Sequence, residues 1–225
     1  MTVGQCFSEG WNLIEEDYLT LVGISLCGII LMYLLPLLLQ GPVYCGMFLV
    51  LFDRMKGGRI KFERFFDGFN FFLPSLFVIL LTFIPGIIVT VVVVVLAIGI
   101  LASGAVLEDG GASGALLGSI GLLALILIIG LVVAISIQIL LSFALPLVVD
   151  RRLGPIDACK SSMRTVRDNL GFVVGLVVLQ SLLLFAGALL CGVGAVFAFP
   201  LVFASSAIAY RYMFGLDSTM NGSLI

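Results

Sequence analysis

The 225-residue chain has no histidine, one tryptophan and few charges, with only 11% of its residues Asp, Glu, Lys or Arg. Without histidine it lacks the side chain most used for zinc ligation and for base catalysis near neutral pH. Cysteine does not fill the gap. The five cysteines (Cys6, Cys27, Cys45, Cys159 and Cys191) are odd in number and form no CxxC pair. Cys27 and Cys45 also sit in apolar runs, and all five are predicted to be reduced structural thiols. No Ser/His/Asp or Cys/His set, P-loop or dinucleotide fingerprint occurs. These absences predict a chain that is not an enzyme and uses no metal or cofactor. A nucleic-acid footprint is missing too, because acids interleave the basic stretches: Asp53, Glu63 and Asp67 in one, Asp150, Asp157 and Asp168 in the other. Nor does the N-terminus read as a cleavable signal, since Glu9, Glu15, Glu16 and Asp17 stand where one would carry Lys or Arg. That segment is expected to belong to the mature protein.

What the chain has in excess is apolar surface. Hydrophobic residues make up 62% of it, with a mean hydropathy of +1.30, which places it in lipid. Four apolar blocks (residues 19–52, 71–102, 116–149 and 171–210) each exceed the roughly 20 residues that cross a hydrocarbon core of about 30 Å. The last holds 40 residues and is broken by Cys191-Gly-Val-Gly194, so it predicts two spans and a tight turn. The middle blocks predict one long helix each, separated by a Gly-rich loop over residues 103–114. The first block has 34 residues, few for two spans and many for one. A turn at Gln40-Gly41-Pro42 gives helices over 19–39 and 43–52, the second only about 15 Å long; Pro36 offers a kink or an earlier turn. The fold class predicted is all-α, a polytopic bundle of six spans with the second short, five spans being the alternative. Residues 1–215 are expected to form a single membrane domain, and residues 216–225 a short polar tail.

A weak threefold repeat favours six. Each outgoing span is preceded by a segment with an apolar stripe at spacings of three and four, which places the stripe on one helical face. The stripes are Val3, Phe7, Trp11, Ile14 and Tyr18; Phe62, Phe65, Phe66, Phe69 and Phe72; and Ile156, Cys159, Met163, Val166 and Leu170. Charged residues occupy the opposite faces, as expected of amphipathic helices in the headgroup plane. The ends of the returning spans also rhyme: Leu51-Phe-Asp53-Arg54, Val148-Val-Asp150-Arg151 and Ala209-Tyr-Arg211. Such parallel repeats imply a pseudo-threefold axis along the membrane normal.

The bases divide the loops by side. Five of the eleven fall in residues 54–64, five in 151–167, and the last is Arg211, while the loop holding Glu108 and Asp109 has none. The positive-inside rule then puts the basic loops and both termini in the cytoplasm and Glu108 outside. Arg54, Arg151, Arg152 and Arg211 are candidate contacts for anionic lipid headgroups, their stems snorkelling along the spans. No span carries an ionisable residue near its middle, which argues against proton- or ion-coupled transport. The polar residues left at depth, Gln138, Gln180, Ser181 and Ser205, are candidates for a substrate patch or, more simply, for hydrogen bonds between helices. Small residues at helical spacing (Gly114, Gly118 and Gly121; Gly171 and Gly175; Ser205 and Ala209) predict close helix packing within the chain, with homo-oligomerisation as the alternative.

Several of these segments also carry a resemblance. Gly41-Pro42…Gly46, Phe65-Phe66-Asp-Gly68-Phe69, Pro146-Leu-Val-Val-Asp150-Arg151-Arg-Leu-Gly154-Pro155-Ile-Asp157-Ala158, Ser161-Ser…Arg164…Asn169, Gly192-Val-Gly194, Pro200 and Tyr210-Arg211 recur in an uncharacterised prokaryotic integral-membrane family. That family is similar to the membrane domain fused to some glycerophosphodiester phosphodiesterases. The resemblance implies a six-helix-like domain in a prokaryotic cytoplasmic (inner) membrane. It transfers no catalytic residue, because the hydrolase of such fusions is a separate soluble domain. The function expected is therefore a scaffold or accessory subunit of a membrane complex, with lipid, including anionic lipid, and protein partners. The alternative is a transporter or lipid-handling protein for an uncharged or lipidic substrate.

Overall fold

Thr2 starts the first helix with a capping box: its hydroxyl accepts from the Gln5 backbone N–H, and the Gln5 side chain accepts from the Thr2 N–H at 2.7 Å. From there the computed structural model describes residues 2–104, 112–189 and 193–216. The expected outer loop with Glu108 and Asp109, the first half of the 191–194 turn and nearly all of the 216–225 tail lie outside the described residues. The described chain is all-α, without strands. Helix α1 (Val3–Ile14) passes through a 3-10 turn into α2 (Tyr18–Leu34), followed by α3 (Pro36–Met55), the short α4 (Phe62–Phe66) and a second 3-10 turn (Asp67–Phe71). Then come α5 (Phe72–Gly104), α6 (Ala112–Leu140), α7 (Ala144–Arg151), α8 (Pro155–Asp168), α9 (Leu170–Leu189) and α10 (Val193–Phe214). Among the described residues six helical stretches are long and apolar enough to cross a membrane.

The second span corrects the expected boundaries. It is α3, with 20 residues, about 30 Å long, and not the short helix predicted over 43–52. The chain breaks at Leu35, which sits outside the helical region at φ −141° and ψ 79° because Pro36 follows it. Pro36 then fills the first turn, where its missing N–H has no partner to lose. Pro42 makes no turn and lies inside the helix, buried. The second amphipathic segment also departs from expectation. It forms only five α-helical residues before tightening to 3-10, and of its stripe only Phe65 is fully buried, while Phe62 and Phe66 stay exposed.

The chain groups into two units, residues 1–79 with 139–225, and residues 80–138. In the second unit Gly130 lets α6 approach α5, since a Cβ there would overlap the Val89 side chain. In the first unit, α3, α7 and α10 supply most of the buried side chains. Between α3 and α10 runs an aromatic seam, with Tyr44 and Phe48 on Phe203 (ring centroids 5.1 and 5.4 Å) and Phe52 on Tyr210 (5.2 Å).

Around this centre α4 and α8 dock on the returning helix just before them in the chain, and α1 docks on the last one. Helix α4 and its 3-10 turn pack on α3, α8 packs on α7, and α1 packs on α10, so the contacts close into a ring. The first docking is backbone on backbone: a Cβ on Gly46 would overlap the Phe65 carbonyl, and one on Gly68 would overlap Pro42 and Gly46. In the second, the Ser162 hydroxyl donates to the Leu140 carbonyl at 2.8 Å and accepts from the Phe143 N–H at 3.3 Å, beside the break between α6 and α7. In the third, Gly10 lies against the α10 backbone, where a Cβ would stand 3.1 Å from the Ser205 nitrogen.

The glycines singled out by spacing divide. A Cβ on Gly121 or Gly171 would meet nothing within 4 Å, and the side-chain surroundings of Gly114 and Gly118 are not described. Gly175 does meet Val3.

Candidate functional site

Of the four polar candidates, Gln180 and Ser205 come together. The Gln180 amide on α9 donates toward Ser206 Oγ (2.8 Å), Ser205 Oγ (3.0 Å) and the Val202 carbonyl (3.2 Å), all on α10. An amide has two N–H protons, so three acceptors share them. Ser205 Oγ donates in turn to the Val202 carbonyl at 2.8 Å. Ser181 faces the other way and donates to the Val177 carbonyl of its own helix at 2.8 Å. Gln138, in the second unit, is exposed and makes no hydrogen bond among the described residues.

The charged helix ends form a second cluster, most of it bonded internally. Arg54 at the end of α3 donates to Glu16 and, at 3.2 Å, to the Leu13 carbonyl, with Asp17 3.8 Å away. Arg64 bridges Asp53 (2.7 Å) and Asp67 (2.8 Å), which ties the docked α4 segment to the end of α3. Arg211 reaches Glu9 at 3.1 Å, and Arg151 donates to the Phe214 carbonyl. Asp150 is buried and accepts from the Tyr210 hydroxyl at 2.8 Å, at the foot of the aromatic seam. Three of the four arginines expected to meet lipid are thus held within the chain. Arg152 is exposed and unpaired among the described residues, in a left-handed conformation (φ 50°) that ends α7.

The cations left free lie mainly elsewhere. On α8, Lys160, Arg164 and Arg167 are exposed, without a hydrogen bond or ion pair among the described residues. With Met163 and Asp168 they line a shallow groove. The opposite face of α8 (Ala158, Cys159, Ser162 and Val166) is buried. Burial raises the Cys159 thiol above its ordinary pKa, which keeps it protonated and unreactive at neutral pH. Among the described residues no three His, Cys, Asp or Glu side chains are grouped to hold a metal.

Arg54, Arg151 and Arg211 were legible as the recurring ends of the returning spans, but the acidic partners of Arg54 and Arg211 were not. Glu9 and Glu16 read as parts of a solvated face. Nothing in the sequence marked Tyr210 as the partner of Asp150.

Among protein families, the profile of one of unknown function, DUF7544, matches residues 4–223, nearly the whole chain. Comparisons with curated proteins and with solved structures find no match.

Proposed function

Because the chain belongs to DUF7544, a family of unknown function, any role must be argued from its own geometry, and we propose that it is a non-enzymatic scaffold or accessory subunit of a membrane complex. The observation carrying this is the state of its membrane-depth amide. The Gln180 amide N–H2 already donates to three oxygens of the neighbouring helix, which commits its donors to structure and not to a substrate. The internal pairing of Arg54, Arg64 and Arg211 acts in the same direction: it makes a fixed platform at one end of the helices. The basic loops and both termini face the cytoplasm, and the membrane is the inner membrane of a prokaryote. The likeness to membrane domains fused to glycerophosphodiester phosphodiesterases supports this reading, since there the chemistry lies in another domain.

A second reading, a transporter or lipid-handling protein for an uncharged substrate, is favoured by Gln138 alone, an exposed amide without a partner among the described residues. Purification in mild detergent with quantification of co-purifying proteins separates the two. A stoichiometric protein partner is expected. A chain that purifies alone, and in liposomes mediates saturable uptake lost in Gln138→Leu, would replace the scaffold with the transporter.

A further inference from the structure

We propose that the outward face of α8 is a binding surface for the phosphates of anionic phospholipid headgroups. The argument begins with how its apolar stripe divides. Cys159 and Val166 turn inward and are buried, whereas Ile156 is 66% exposed, Leu170 just beyond the helix is 45% exposed and Met163 is half-buried. At about 100° per residue, Met163 and Ile156 fall on one narrow strip of α8, and Leu170 opens α9 just past Asn169. Arg167, Lys160 and Arg164 come next around the helix, and Asp157 and Asp168 lie beyond them.

Apolar, then cationic, then acidic is the order of environments met on leaving a bilayer, from hydrocarbon through phosphates to water. The helix is placed to use it, because only Asn169 separates α8 from the span α9. The three cations have no partner among the described residues, unlike those at the ends of α3 and α10. Lysine and arginine donate without accepting, so their complement is an anion. An acidic soluble protein would satisfy the charges but leave Ile156 and Leu170 against water; a lipid surface covers both strips. The inference holds whether the protein is a scaffold or a transporter.

The test is titration of the full chain in uncharged detergent, read by native mass spectrometry, with phosphatidylglycerol, phosphatidylcholine of the same acyl chains, and inorganic phosphate. Phosphatidylglycerol adducts are expected at lower concentration than phosphatidylcholine adducts, weakening as salt rises. A headgroup-proximal cation is worth about fivefold. Lys160→Gln, Arg164→Gln and Arg167→Gln together should then weaken the preference by roughly ten- to a hundredfold. Arg164→Gln alone, a single exposed side chain, should still fold and lose about fivefold, and Asp157→Asn with Asp168→Asn should strengthen binding. Equal binding of the two lipids by the native chain, or a preference untouched by the triple change, would overturn the proposal. So would full competition by millimolar phosphate, which would mark a site for a soluble anion. Loss of a co-purified protein from the triple variant, with lipid adducts unaffected, would assign the face to that protein instead.

Discussion

An amide in hydrocarbon must find acceptors, and Gln180 finds all of its acceptors on α10. Gln180→Leu removes both the bonds and the need for them, so thermal unfolding in detergent should show a loss of only about 1 kcal/mol. A loss several times larger would mean that the amide organises more than this pair of helices. Ser25 on α2 is the opposite case, buried with its hydroxyl unpaired among the described residues. Ser25→Ala deletes a desolvated polar group, and stability should hold or rise by up to about 1 kcal/mol; a clear fall would expose a partner. At this scale the sequence was only half informative. It marked which residues are polar at depth, because hydropathy is local. It did not tell Gln180 from Gln138 or Ser181, because whether an amide meets a hydroxyl depends on how two helices turn toward each other.

At the scale of elements, proline and glycine carry the exceptions. The sequence offered two breaks in the first apolar block, and the chain uses Pro36, since the residue before a proline is pushed from helix. Pro42 is tolerated inside α3 because neighbouring elements enclose it. The motif residues Gly46 and Gly68 lie where a Cβ would strike Phe65 and Pro42, so they mark the seam where the α4 segment meets α3, while Gly41 lies where one would strike Ser75 near the start of α5. Gly46→Ala and Gly68→Ala should each lower stability by at least about 1–3 kcal/mol, since backbone is the colliding partner and cannot rotate away. Gly23→Ala, where a Cβ meets nothing within 4 Å, is the control expected to be neutral or slightly stabilising. If all three behaved alike in detergent melts, the close approach would be wrong. The expected interhelical role of Gly121 and Gly171 failed because spacing alone does not say which face of a helix has a neighbour.

For the whole molecule, the helical class and the spans were legible because lipid demands long apolar helices. The rhyming helix ends suggested a repeat; in the fold each amphipathic segment packs on a return helix. Which repeat each amphipathic segment leans on was not legible, since the partner lies in a different unit of sequence. Side of membrane still rests on charge. With native cysteines replaced, Gly110→Cys should react with an impermeant maleimide added from outside, and Glu63→Cys and Asp157→Cys only after permeabilisation. The reverse pattern would invert the topology, and with it the side on which α8 meets lipid.

The ring also sets an order of events in synthesis. Gly10 and the Ser205 backbone it rests on are 195 positions apart (205 − 10). At bacterial or eukaryotic elongation speeds the second emerges roughly 10–40 s after the first. For that interval the Cys6, Gly10 and Ile14 face of α1 waits without its native neighbour, while each later segment finds its return helix already made. Of the three amphipathic segments, the first to be made is thus the last to be docked. A message broken before α10 yields a chain in which α1 is made but lacks the helix it rests on, a form that membrane quality control is well placed to recognise.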